Sequence, residues 1–219
     1  MRQISVATES WQMKKPFRIT GHVFSEALLM VVTITEDGLS GRGESAGVYY
    51  LGESLESMAA QVEKVRSALE QGVQRDELAD LLPVGGARNA IDCALWDLEA
   101  KRQGKTIWEL TGIEPAPTIS VNTVGIGTPE EMVLAAKALD TPRIKIKLDD
   151  EIPVERVAAV RAARPDAVIV VDVNQGWTFE QLQTFAPKLK ALGVAMIEQP
   201  LKRGHDEELE GHQPPVPLC

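Results

Sequence analysis

The stretch TPRIKIKLDD, residues 141–150, sets two lysines, Lys145 and Lys147, in alternation with Ile144, Ile146 and Leu148. Successive side chains of a strand point to opposite faces, so both ammonium groups lie on one side and the three aliphatics on the other. Taken alone, the pattern describes a half-exposed strand with a wet lysine face. Its neighbours place that strand in a series. From residue 118 onward ISVNTVGIG is followed by TPEEMVLAAKAL, RIKIKLD by VERVAAVRAAR, AVIVVDVN by TFEQLQTFAPKLKAL, and VAMIEQP by DEELEG, a single helical turn, before PVPLC opens another strand. Strand and helix alternating in this way are the signature of a parallel sheet or a (β/α) barrel. The helix starts are marked. Thr128-Pro129 with Glu131 supplies a cap, a first-turn proline and a capping-box acid, and Thr178 with Gln181 repeats the box.

Upstream the rhythm differs. Residues 1–13 and 22–36 read as strands, and TEDGLSGRGE gives a turn at Asp37-Gly38 and a third short strand. Helical patterns follow at 53–71 and 84–103, the second with Ile91, Ala94, Leu95 and Leu98 at helical spacing. Strands followed by helices describe an α+β domain.

The 219 residues suffice for one sizeable core or two modest ones. A hydrophobic content of 44% with 25% charged residues is ordinary for a soluble globular protein. The net charge of −9 argues against nucleic-acid or anionic-membrane partners, which need a basic patch, and permits an acidic cluster that holds a cation. Two cysteines, Cys93 and Cys219, imply no disulfide framework, so the default compartment is cytoplasmic. Cys93, in the helical pattern AIDCALWDL, reads as a buried small hydrophobe. The N-terminus has no apolar core of signal-peptide length, and ALLMVVTI and AVIVVDV are strand-sized, too short to cross a bilayer.

The candidate site emerges from spacing. Asp172 lies 25 residues after Lys147, and Glu198 lies 26 after Asp172. One βα unit is about that long, so the three occupy equivalent places at the C-terminal ends of successive strands, the rim where barrel enzymes carry their chemistry. Each also has a plainer reading. Asp172 could end its strand or cap the next helix, although Thr178 already serves that helix. Asn174 could be a turn residue in NQGW, or could share the side of Asp172. Glu198, after the apolar run VAMI, needs a cationic partner, because burying an unpaired charge is very costly. Carboxylates from successive strand ends suit a hard cation such as Mg²⁺. Such an ion can hold a substrate carboxylate and stabilise the enediolate formed when the neighbouring carbon loses a proton. Lys147 would be the base. Lys145, one step below on the same face and within roughly 7 Å, would help to lower its pKa, as would partial burial.

KIK, DVN and IEQP at these spacings resemble the enolase superfamily, muconate-lactonizing subgroup, already known for pairing a lysine or histidine base with Mg²⁺. LLPVGGARNAIDCALWDLEAKRQGK, RGES, YLGES and GVAMIEQPL are similar to dipeptide epimerases of the L-Ala-D/L-Glu type, and the likeness runs over the whole chain. The resemblance implies an α+β capping domain over residues 1–115. It implies an incomplete modified (β/α) barrel over 116–219, with about four βα units and a fifth strand. It implies Lys147 as acid/base with Lys145 as its helper, and Asp172 and Glu198 as Mg²⁺ ligands. Capping loops near residues 17–22, which include Arg18, and 47–52 would close over the substrate, a dipeptide or N-acyl amino acid. Tyr49 and Tyr50 either set dipeptide preference or pack the loop; Thr123 either touches substrate or is an inward-packed strand residue. The family's third metal carboxylate would fall just beyond Cys219, with an opposing lysine and an acidic pair for the dipeptide ammonium further on. The expectation is therefore of a longer polypeptide or of a partner chain that completes the barrel, and a homo-oligomer is left open. The competing readings are a cycloisomerase or o-succinylbenzoate synthase of the same subgroup, and a non-catalytic truncated fragment.

Overall fold

The structure is a computed structural model that describes residues 2–219. Its contacts group the chain into two units, the first comprising residues up to Met13 with Glu26–Pro117 and the second Lys14–Ser25 with Thr118–Cys219. The division expected at 115/116 took no account of residues 14–25, which cluster with the second unit because their main chain and Thr20 bond to its loops.

In the first unit, strands β1 (Gln3–Ile19), β2 (His22–Glu36) and β3 (Leu39–Ser45) form a sheet in that order. Pairing with β2 carries β1 past residue 13, where Lys14, Lys15 and Pro16 interrupt the apolar pattern. Asp37 and Gly38, with φ of 53° and 81°, make the left-handed two-residue turn that joins β2 to β3. Four helices follow: α1 (Leu55–Glu70), α2 (Leu78–Leu81), α3 (Gly86–Gln103) and α4 (Ile107–Thr111). Gly41 and Gly43 on β3 decide how α3 meets the sheet. A Cβ at either would lie 2.1 Å from the carbonyl oxygen of Ala94 or Ala90. Their absence of side chains lets the alanine face of α3 lie directly on the strand, and Met30, Val32 and Ile34 of β2 complete the core with Met58, Val62 and Leu69 of α1. Cys93 flanks this stripe and is exposed, contrary to the sequence reading.

The second unit alternates β4 (Asn122–Val124), α5 (Pro129–Lys137), β5 (Arg143–Lys147), α6 (Pro153–Ala163), β6 (Val168–Asp172), α7 (Phe179–Ala191) and β7 (Val194–Glu198). The four strands form a parallel sheet in chain order, and Leu218 pairs in parallel with Ile197, opening a fifth position beside β7. β4 keeps only three residues of the longer strand expected there, and Ile119 and Val121 before it are exposed, since an edge strand has one neighbour to pair with. The aliphatic face of the sheet, Ile144, Ile146, Leu148, Ile169, Val171, Val173 and Ile197, is buried in one cluster with Met132, Ala136, Val157, Val160, Leu182 and Leu189 of the helices. The lysines of β5 therefore stand on the other face. Both capping boxes read from the sequence form, at Thr128/Glu131 and Thr178/Gln181. Among the described residues no helix is long and apolar enough to cross a membrane.

Arginines near the end of α6 fasten the helices on either side. Arg164 donates to the carbonyls of Ala136 (3.0 Å), Leu139 (2.9 Å) and Thr141 (2.7 Å), around the last turn of α5. Arg161 donates to Leu192 (2.9 Å) and Gly193 (3.2 Å) after α7, and to Ala167 (2.6 Å). Ala136 is one of the carbonyls that a helix leaves without an intrahelical partner at its C-terminus, and the others belong to the loops that follow the helices or precede β6. Arg164→Ala is expected to cost about 2 kcal/mol in urea unfolding, since it strips donors from three carbonyls. Arg143→Ala, at an exposed position, should change stability by less than about 0.5 kcal/mol; equal effects of the two would refute the stapling role.

Candidate active site at the strand ends

Register assembles the site. Lys147 pairs with Asp172 across β5 and β6, and Asp172 pairs with Glu198 across β6 and β7, so the three form one row at the C-terminal ends of adjacent strands. Lys145 lies one inward step below, opposite Val170. The spacings of one βα unit thus become a straight row, as parallel pairing requires.

Asp172 is the centre of the row. Its Oδ2 accepts from Lys147 Nζ at 2.6 Å and lies 2.8 Å from Lys145 Nζ, while Oδ1 accepts from the Asn174 amide at 2.9 Å. Lys145 also donates to Glu198 Oε2 at 2.6 Å, and Lys147 to Asn174 Oδ1 at 3.0 Å. The Asp172 side chain is 2% exposed and that of Lys147 11%. Charges so sheltered persist only when paired. Burial opposes ionisation of Asp172, but the hydrogen bonds from Lys145, Lys147 and the Asn174 amide outweigh it, and its carboxyl is held below the usual range. Burial also opposes charge on Lys145, yet its hydrogen bonds to Asp172 and Glu198 outweigh that, and the amine lies above the ordinary lysine value. The sequence reading expected Lys145 to act as a neighbour that lowers a lysine pKa. The direction at Lys145 itself is upward, because Asp172 and Glu198 both accept from its ammonium group.

The turns beyond the row are unusual. Asn174, Gln175 and Gln199 have φ of 48°, 68° and 44°, in the left-handed region that residues other than glycine seldom enter. The main-chain ladder continues through them. Leu148 N donates to Asp172 O, Val173 N to Glu198 O, Gln175 N to Gln199 O at 2.8 Å, and Gln199 N to Cys219 O at 2.8 Å. Trp177, fully buried, donates its indole N–H to Asp149 O at 2.9 Å and packs edge-on against Phe185.

The remaining sequence candidates divide. Asn174 joins the row through both its amide and its side chain. Thr123 is the register partner of Lys145 and is exposed, so it is not the inward-packed residue of the plainer reading. Arg18 contributes its carbonyl, which accepts from Ile126 N at 3.2 Å, and is otherwise exposed. Tyr49 and Tyr50 belong to the first unit, on a single helical turn ending at Gly52, with their rings edge to face at 5.3 Å and about half exposed. Glu53 anchors that turn by accepting from Val48 N and Gly86 N, both at 2.7 Å. Thr20 was missed. Its only sequence signal is a Thr-Gly turn, which predicts a hairpin tip but not a hydroxyl bonded to residues 128 and 153 positions away.

For a metal, the donor set is the test. Asp172 and Glu198 both present an oxygen to the Lys145 ammonium and so lie close enough together to be considered as a pair of ligands. Two carboxylates in that arrangement fit a hard divalent ion that keeps several waters. Among the described residues no group of three or more His, Cys, Asp and Glu side chains is placed to hold a metal.

Comparison with known proteins adds the family. Residues 1–112 match the mandelate racemase/muconate lactonizing enzyme N-terminal domain, and residues 130–219 match the enolase C-terminal domain-like family. L-Ala-D/L-Glu epimerase of Escherichia coli is 43% identical over all of this chain and 70% of its own length. N-acetyl-D-glutamate racemase of a Pseudoalteromonas species is 35% identical, over 87% of this chain and 62% of its own. Among solved structures, an enolase family member from Agrobacterium tumefaciens, with homology to dipeptide epimerases and bound sodium and L-Ala-L-Glu, superposes with a TM-score of 0.96. It is 33% identical, over all of this chain and 68% of that one. A dipeptide epimerase from Methylococcus capsulatus, complexed with Mg and L-Arg-D-Lys, gives a TM-score of 0.84 at 32% identity, over 96% of this chain and 64% of that one.

Replacing Asp172 tests the row without any ligand. Its depressed pKa means that its stabilisation is present above the ordinary carboxylate value of about 3.9 and is lost as pH falls through the lower folded-state value. Asp172→Asn should therefore lower stability by about 2–4 kcal/mol between pH 5 and 8, with a gap that narrows below about pH 4. Thermal melts across that range check it; a gap independent of pH would mean that Asp172 acts through packing rather than charge.

Proposed function

The chain belongs to the mandelate racemase/muconate lactonizing enzyme family, and on that premise we propose that its strand-end row removes the α-proton of an N-acylated amino acid carboxylate, in dipeptide-epimerase chemistry. The observation that carries the proposal is the convergence of Lys147, Asp172 and Glu198 in one register row with Lys145 beneath it. Lys147 takes the base role. Its amine stands at the rim, and Asn174 Oδ1 and Asp172 Oδ2 fix the direction of Nζ. A lysine acts as a base only as the neutral amine, and Asp172 is placed to receive the hydrogen bond of either form. Lys145 holds Asp172 and Glu198 in place from below. Asp172 and Glu198 would hold Mg²⁺, which when bound supplies the positive charge that offsets the negative charge gathering on the substrate carboxylate. Thr123, exposed on the edge strand level with Lys145, and Arg18 are proposed to meet the substrate.

The residues brought together account for removing and returning a proton on one face of the α-carbon. Deuterium exchange, rather than net inversion, is therefore the readout that tests them. L-Ala-L-Glu incubated with the chain and Mg²⁺ in D₂O should gain α-deuterium at the glutamyl carbon, and Lys147→Ala should slow exchange by roughly 100-fold or more. The N-acetyl-D-glutamate racemase relative favours a second substrate of the same chemistry. Faster exchange of N-acetylglutamate than of the dipeptide would select that reading. No exchange in either compound, with the chain folded, would reject the proposal.

A further inference from the structure

Thr20 sits at the turn between β1 and β2, within the segment that groups with the second unit. Its Oγ1 lies 2.8 Å from the carbonyl oxygen of Leu148 and 2.8 Å from that of Val173. A hydroxyl carries one proton, so the two contacts are a single donation shared between two acceptors. Those acceptors belong to the residues immediately after Lys147 and Asp172. The same two residues carry the ladder past the strand ends, Leu148 N to Asp172 O and Val173 N to Glu198 O, both at 3.0 Å. The methyl of Thr20 fills the space over Gly176, where a Cβ would come within 2.8 Å of Thr20 Cγ2. Two residues earlier, Ile126 N donates to Arg18 O. The tip thus touches the loops that follow β4, β5 and β6, and its hydroxyl spans the seam between the two strands that carry Lys147 and Asp172.

We infer that Thr20 is a positioning residue, a clasp that fixes the spacing of the β5 and β6 ends and through it the Lys147–Asp172 contact. The inference rests on the reading of that row as the active site, but its test needs no turnover. Leu148 O has no other donor among the described residues, whereas Val173 O also receives Gly176 N at 3.2 Å. Losing the hydroxyl therefore orphans the β5 side of the seam first. A hairpin that merely rested on the rim would leave the seam intact when its tip was loosened.

The experiment uses the 219-residue chain with Thr20→Val, Thr20→Ser and Gly176→Ala, read by amide hydrogen exchange and by acetylation of Lys147 with acetic anhydride, scored against exposed Lys188. Thr20→Val should speed exchange at residues 148–150 and 173–177 by roughly tenfold, the scale of one lost hydrogen bond. It should also raise Lys147 acetylation several-fold. Thr20→Ser keeps the donor and should stay within about twofold of the parent by the same measure. Gly176→Ala displaces the methyl and should reproduce Thr20→Val; it carries the comparison if Thr20→Val does not fold. Faster exchange confined to residues 14–25, with Lys147 reactivity unchanged, overturns the clasp. Failure of deuterium exchange into dipeptide, with these results intact, would reject the catalytic reading and leave the clasp standing.

Discussion

A single carboxylate oxygen that accepts from two ammonium groups holds the strand-end row together. Asp172 Oδ2 lies within 2.8 Å of both Lys145 and Lys147, in a site where the aspartate side chain is 2% exposed. Neither lysine could stand so close to the other in this setting without a negative charge between them, and Asp172 could not remain ionised at that burial without both. Glu198 completes the balance, giving two positive and two negative side chains. The cluster is neutral as a whole, which is how a parallel sheet tolerates four ionised groups on one face.

That arrangement depends in turn on backbone beyond the strands. A parallel ladder would ordinarily fray where the strands end. Here it persists through Asn174, Gln175 and Gln199, at the cost of left-handed conformations at three residues that are not glycine. Such conformations cost on the order of 1 kcal/mol or more each and survive only where the surroundings over-determine them. The donations of Gln175 N to Gln199 O and of Gln199 N to Cys219 O, and the indole of Trp177 anchored on Asp149 O, supply that determination. The main chain turns sharply as soon as it has delivered each functional side chain, and the Asn174 amide folds back onto Asp172 Oδ1.

What the sequence made legible is what periodicity encodes. The alternation in RIKIK assigns each side chain to a face, and the near-equal spacings of Lys147, Asp172 and Glu198, 25 and 26 residues, put them in register. Capping boxes were readable because their partners lie three residues apart. The illegible part is the identity of partners distant in the chain. Lys145 meets Asp172 across 27 positions and Glu198 across 53, and its hydrogen bonds to them raise its pKa against the pull of burial. The guanidinium of Arg164 reaching the end of α5, and the methyl of Thr20 over Gly176, follow from three-dimensional proximity that no local pattern announces. Cys93 shows the same limit from the other side: helical spacing placed it near the stripe, and only packing shows that it lies on the flank.

The two lysines of the opening strand consequently stand in different settings despite identical chemistry and a shared face. Lys145 lies deeper along the strand and spans two carboxylates, so its charge is held by the sheet itself. Lys147 stands at the end of β5, paired with Asp172 and with the neutral amide oxygen of Asn174. A residue meant to exchange a proton needs an orienting partner that tolerates both of its forms, and a residue meant to hold a frame needs partners that tolerate only one. The asymmetry between an amide and a second carboxylate is what supports the roles proposed for them, Lys145 as the cation that frames the row and Lys147 as the base.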